Sequence, residues 1–313
     1  MKKRFILLIS LLAIVTCFSE AMGRKENNNE GLFFAASYMT LNNPFFVALH
    51  QSIEDAVETH GDRVVALNPD YDQILQITQI EDMISLGIDG LFLNPVDWKG
   101  IRPALEAANK ADIPVFVVDA PVYDDKLVVS TIVSDNHEAG KLAGLDLVTR
   151  LDGGNIVILD HPTNKPSINR ILGFLEILQS HPEFTVVSRL SAFGTLEEAL
   201  PQMENALQAH NKIDVVFGSN DPTSLGAIAA LVGAKRMSKT LVYSVDGSPE
   251  GKEMIKSGLM TGSSAQSPRE IGRIAVELMY KHLEGEIVPA TQFVPVTLIT
   301  QDNVDEFPAD EWQ

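Results

Sequence analysis

The chain has 313 residues, 45% of them hydrophobic, with 42 acidic against 24 basic side chains and a net charge of −18. So acidic a surface opposes nucleic acid and anionic lipid, whose phosphates it would repel. A single cysteine excludes a disulfide framework, and the length is about two domains' worth with ample apolar material for a core.

The N-terminus reads as an export signal. Lys2, Lys3 and Arg4 precede an 11-residue run, Phe5 to Val15, that is apolar except for Ser10. That is too short to cross a bilayer core, which takes roughly 20 helical residues, and it suits the h-region of a signal peptide. Ser19-Glu20-Ala21 offers small residues at the two positions read by a signal peptidase, so residues 1–21 are expected to be removed. That loss moves the net charge to −20, because three basic residues and Glu20 leave. Ile14-Val15-Thr16-Cys17 resembles a loose lipoprotein box, with Thr16 where a smaller residue is usual. If Cys17 is lipidated, the mature chain begins there and is anchored to a membrane; if not, it contains no cysteine. Residues 22–30 (MGRKENNNE) form a polar, flexible lead-in.

From residue 32 short apolar runs alternate with amphipathic stretches, as βαβ units require. Strands are predicted at 32–37, 64–67, 90–93, 115–118, 128–133, 156–159, 185–190, 215–218, 241–245, 261–264 and 293–298. Helical patterns lie between them, among others at 46–59, 73–86, 136–151, 196–210 and 270–283. Most of the strands are continuously apolar, the pattern of parallel strands buried on both faces. Eleven strands are too many for one doubly wound sheet and too unevenly spaced for an eightfold barrel. The predicted fold class is therefore α/β with two doubly wound parallel-sheet lobes. No Pro/Gly-rich linker divides them, so the chain is expected to cross between lobes.

Ligands of open parallel sheets sit beyond the carboxyl ends of the strands. The residues there are Asn43, Phe45 and Phe46 after the first run, Asn94, Asp119, then Asn220, Asp246 and Gln266. Carboxylates and carboxamides grip vicinal hydroxyls with paired hydrogen bonds, and aromatic rings, Phe193 included, cover the C–H faces of a sugar. The same Asp and Asn residues could instead cap helices or form turns, and Phe45 and Phe46 could be core. Asn220 and Asp221 could divide the tasks of binding and capping.

Asn42-Asn43-Pro44-Phe45-Phe46, Asn94-Pro95-Val96-Asp97, Ser134-Asp135-Asn136, Asn220-Asp221, Asp246-Gly247-Ser248-Pro249 and Gln266 occur in the order and spacing of the ribose-type periplasmic sugar-binding proteins. The resemblance runs from about Leu32 to Asp302. It implies two flavodoxin-like lobes of the type I periplasmic-binding-protein class joined by three hinge crossings, with ligand in the cleft. By that resemblance the first lobe holds 31–132 and 267–296, and the second 133–266 and 297–313. The implied ligand residues are Asn43, Phe45, Phe46, Asp119, Phe193, Asn220, Asp246 and Gln266. His161-Pro162 resembles the His-Pro of related glucose/galactose binders, which makes His161 a further ligand candidate and Lys165 a weaker one. Departures are equally specific. Ala120 and Ile168 stand where ribose binders carry ligand arginines, and Met39 replaces a small hydroxyl residue. Arg170 matches a structural arginine and is not assigned to the ligand.

The resemblance implies a monomeric periplasmic protein that captures a small neutral sugar or polyol by hinge closure. It would deliver that ligand to an ABC permease in the inner membrane or, alternatively, present it to a chemoreceptor or sensor kinase. No catalytic residue, metal or cofactor is implied. The chain lacks the G-x-G-x-x-G, P-loop, G-x-S-x-G and H-E-x-x-H signatures. Asp119 and Asp246 as a glycosidase pair are the residual enzymatic reading. A repressor with this architecture would need a DNA-binding helix-turn-helix where the signal peptide stands.

Overall fold

The computed structural model describes residues 31–312. The expected signal peptide, Cys17 and the lead-in lie outside the described residues. Within them, two six-stranded sheets account for the predicted strands. The first sheet holds β1 (Phe33–Ser37), β2 (Arg63–Leu67), β3 (Gly90–Leu93), β4 (Val115–Val118), β5 (Ser130–Ser134) and β11 (Thr291–Val294), in the order β11-β5-β4-β3-β1-β2 and all parallel. The second holds β6 (Gly154–Asp160), β7 (Phe184–Ser191), β8 (Val215–Gly218), β9 (Leu241–Asp246), β10 (Gly262–Ala265) and β12 (Thr297–Thr300), in the order β12-β10-β9-β8-β6-β7. Only β12 runs antiparallel to its neighbour. Each sheet thus repeats the 2-1-3-4-5 order of the flavodoxin-like winding, with its switch point at β1/β3 or β6/β8.

Alternation along the strands explains why their sequences read as unbroken apolar runs. Phe34, Ala36, Phe92, Phe116 and Val118 face α1 (Pro44–Glu58) and α9 (Pro268–Leu283). Their neighbours Ala35, Leu91, Leu93, Val115 and Val117 face α2 (Gln73–Ser85) and α3 (Arg102–Lys110). The second sheet does the same. Val157, Leu159 and Val216 meet α6 (Leu196–Ala209) and α7 (Asp221–Gly233), with α8 (Pro249–Lys256) on the same face. Ile156, Ile158 and Phe217 meet α4 (Asn136–Arg150) and α5 (Lys165–Leu178). The inner strands of each sheet are therefore covered twice and show no polar face, whereas the edge strands β2, β7, β11 and β12 keep exposed residues.

The chain passes between the lobes three times: after β5, after β10, and between β11 and β12. The last passage corrects the single strand expected at 293–298. Pro295 cannot donate a ladder hydrogen bond, and the strand breaks there. The first half pairs with β5 and the second with β10, in the other lobe. After β12 the chain stays on the second lobe through Val304 and Phe307, and Trp312 packs against the first lobe's core.

Helices α4 and α5 approach more closely than side chains permit. A Cβ on Gly140 would overlap the carbonyl oxygen of Arg170, and one on Gly173 that of His137. Glycine is required here by space, not by backbone conformation. Gly173→Ala should therefore lose at least about 2 kcal/mol in urea unfolding, because two backbones must separate. Gly233→Ala, with open space around its Cα, should shift stability by less than about 1 kcal/mol. Equal effects of the two substitutions would contradict this packing.

Candidate functional site

The carboxyl ends of both sheets converge on one cavity, where ligands of open parallel sheets sit. Nine residues singled out in the sequence line it: Asn43, Phe45, Phe46, Asp119, His161, Phe193, Asn220, Asp246 and Gln266. Asn94 does not. It is fully buried one layer behind, where its Nδ2 donates to Asp119 Oδ2 at 3.0 Å and to Val118 O at 3.3 Å, while its Oδ1 accepts from Met39 N at 3.2 Å. Asn94 thus ties the ends of β1, β3 and β4 together and holds Asp119. Lys165 also stays out of the lining; its ammonium lies 5.8 Å from the ring centre of Trp98.

Asp119 and Asp246 come from opposite lobes and are both buried. Burial pushes the Asp119 carboxyl up to about 6, against the opposing pull of Arg170 and the Asn94 hydrogen bond. Burial likewise raises Asp246, opposed by Arg170 and reinforced by the nearby charge of Asp221. Asp246 Oδ1 accepts from Gln266 Nε2 at 2.8 Å, and its Oδ2 accepts from the Asp221 backbone N–H at 3.2 Å. Gln266 Oε1 is buried without a partner, an acceptor left for something in the cavity.

Arg170, read as structural, is part of the lining. Its Nη1 lies 3.6 Å from Asp246 Oδ1 and donates to Ser219 O at 2.7 Å. Its Nε donates to Asn136 Oδ1 at 2.7 Å, and Asn136 Nδ2 donates to Ser134 O at 3.1 Å. One guanidinium is therefore wired to the first crossing through Asn136 and to the second through Asp246 and Gln266. No sequence motif signals the cavity contact, because the sequence fixes the position of Arg170 along α5 but not its reach. Met39, Tyr71, Asn164 and Ser167 also line the cavity. Tyr71 follows β2, the strand end that the sequence reading passed over.

Capping a helix and lining the cavity are compatible here. Asn43 caps α1, its Oδ1 accepting from Phe45 N at 2.9 Å. Asn220 caps α7, its Oδ1 accepting from Thr223 N at 3.1 Å and its Nδ2 donating to Gly194 O at 3.0 Å. Both still border the cavity, because a helix following a parallel strand begins where ligand binds. Asp221 takes no part in the lining. It is fully buried and accepts from the hydroxyls of Ser248 and Ser263, which fixes the turn after Asp246.

Phe45 and Phe46 meet edge to face at 5.4 Å and are almost wholly buried, whereas Phe193 is 48% exposed and stands edge-on to His161 at 5.8 Å. Burial lowers the His161 pKa, so its ring is neutral near pH 7 and can both donate and accept. Of the seven non-glycine residues with positive φ among those described, Tyr71, Asp119, Phe193 and Asp246 all line this cavity. Backbone held in such sparsely populated conformations is characteristic of ligand sites. Among the described residues no group of three or more His, Cys, Asp or Glu side chains is placed to hold a metal ion.

Comparison with known proteins agrees with this fold. The family model of the periplasmic binding protein domain matches residues 34–287. The ribose import binding protein RbsB of Bacillus subtilis is 32% identical over 302 residues, covering 95% of this chain and 97% of that protein. A solved ABC transporter solute-binding protein of Mycobacterium smegmatis with bound glycerol superposes with a TM-score of 0.84 at 30% identity, covering 88% of this chain and 96% of the other. A second structure from the same organism, in complex with β-D-fucofuranose, gives 0.83 at 26% identity and covers 88% and 93%. The chain belongs to the ribose-type periplasmic sugar-binding proteins of ABC transporters.

Proposed function

We propose that this chain captures a small neutral sugar or polyol by closing its two lobes and hands it to an ABC permease in the inner membrane. The observation that carries this reading is the pair of buried carboxylates, Asp119 and Asp246, offered from opposite lobes to one cavity that also holds aromatic rings. Sugar hydroxyls donate to such carboxylates, and the ring's C–H faces pack on Phe45, Phe46 and Phe193. A ligand that touches both lobes favours the closed form by its differential affinity. An anionic ligand is disfavoured. The cavity's one guanidinium is already opposed by two carboxylates, so a further negative charge would meet repulsion in a poorly solvated site. The names of the relatives point the same way, toward ribose, glycerol and a furanose. Ala120 and Ile168 remove two cationic donors that a ribose site of this type would use, so a sugar other than ribose is favoured. Export to the periplasm, with or without a lipid anchor at Cys17, fits this role.

Residues 22–313, unfolded and refolded to strip any retained ligand, should gain about 2.7 kcal/mol from a sugar at 100 times its Kd, several degrees in a thermal shift. A panel of neutral pentoses, hexoses and polyols should contain such a hit, and silence across it would contradict the proposal. With that hit, Asp246→Ala should weaken binding by about 2–4 kcal/mol in calorimetry, since hydroxyls lose their buried acceptor.

Asp119 separates stability from binding. Its folded pKa, about 6, lies above the ordinary 3.8, so the folded state holds the proton more tightly. Stability from this group therefore falls as pH rises from about 4 to 6 and stays reduced above. Asp119→Asn should raise the melting temperature of the ligand-free protein at pH 7.5, by up to roughly 3 kcal/mol in stability, with the gain vanishing near pH 4. The same variant should lose most of its affinity. Wild-type affinity should decline as pH drops through 6, because hydroxyls prefer the ionised acceptor.

A further inference from the structure

After β12 the chain makes a short 3₁₀ turn, Val304–Glu306, and Val304 and Phe307 pack into the second lobe's core. Residues 308–311 then lie over Lys252 of α8, a lysine with no exposed surface. Its ammonium donates to the carbonyl oxygens of Pro308 and, at 2.5 Å, of Glu311. A buried ammonium needs such acceptors, and lifting the tail would strand it. The tail is thus fastened to the second lobe, yet its last described residue reaches the other one. Trp312 meets Phe45 of α1 edge to face, with ring centres 5.5 Å apart at 84°, and packs on the first lobe's core. Phe45 is itself a wall of the cavity.

We infer that residues 307–312 form a strap across the cleft, in which Lys252 anchors the tail to the second lobe and Trp312 positions Phe45 and restrains the lobes from opening. The three crossings after β5, after β10 and between β11 and β12 act as hinges, because backbone runs through them. The strap is a fourth connection, and only its indole–phenyl contact can part without breaking chain or stranding a charge. Opening the cleft must therefore separate Trp312 from Phe45, and closing it must restore the ring against which a ligand packs. Trp312 is a positioning residue: it acts on a ligand through Phe45.

For its ligand arm this inference rests on the proposed sugar-binding function, and a ligand-free measurement tests it independently. In small-angle scattering of the refolded protein without sugar, Trp312→Ala and Lys252→Met should each increase the radius of gyration over wild type. Trp312→Phe, which keeps an aromatic edge, should restore it. With whichever of D-ribose, D-allose, D-fucose, xylitol and glycerol binds wild type, Trp312→Ala should speed release about three- to tenfold in stopped flow, the range of an aromatic pair, and Trp312→Phe should recover most of the loss. In Trp98→Phe protein, Trp312 is the sole tryptophan, and its emission should shift on sugar addition. An unchanged radius of gyration in both variants, or a release rate and emission indifferent to Trp312, overturns the strap. Silence of the wild type across the whole panel of neutral pentoses, hexoses and polyols would defeat the functional proposal, while the ligand-free scattering would still decide the strap.

Discussion

One guanidinium organises the cleft. Arg170 is buried, lies 3.6 Å from Asp246, and also offsets the charge of Asp119 on the opposite lobe. Two buried carboxylates against one cation leave the site short of positive charge, and both acids respond by holding their protons more tightly. Such an arrangement is poor for stability, since burying charge without full compensation costs free energy. It suits a protein that must attract hydroxyl donors, because a sugar brings in the hydrogen bonds that the carboxylates lack. The same guanidinium reaches Asn136 at the first crossing and, through Asp246 and Gln266, the second. Cavity and crossings therefore share one network of hydrogen bonds and an ion pair.

The lobes that carry this network are rigid by construction. Strands covered on both faces and a backbone-to-backbone contact at Gly140 and Gly173 leave little room for adjustment inside a lobe. Strain is concentrated instead where the lobes face each other, at Tyr71, Asp119, Phe193 and Asp246. All four line the cavity, and backbone held in such conformations persists only where the surrounding structure fixes it. The proposed closure would therefore fall to the crossings.

Much of this was legible in the sequence, for physical reasons. Double burial of parallel strands writes itself as apolar runs, and the switch-point rule locates the ligand side of a sheet before any contact is known. That logic places Asn43, Asp119, Asn220 and Asp246 at one face. It could not distinguish a residue that faces the cavity from one that stands behind it. Asn94 has the same chemistry and the same strand-end position as the lining residues, and only the packing of β1, β3 and β4 turns it inward. Arg170 was missed for the converse reason: it is a helical residue whose length carries it to the cavity. The split of 293–298 into β11 and β12 was signalled by Pro295, whereas the return of Trp312 to the first lobe depends on Lys252 sixty residues away and has no local signature.

The most direct test of the central claim is a crystal structure of the refolded protein saturated with the sugar that binds it. A single ring should lie in the cavity with its hydroxyls donating to Asp119 from one lobe and to Asp246 from the other, and its C–H face on Phe45, Phe46 or Phe193. A ligand held by one lobe alone, or an anion seated on Arg170 in place of Asp246, would contradict it.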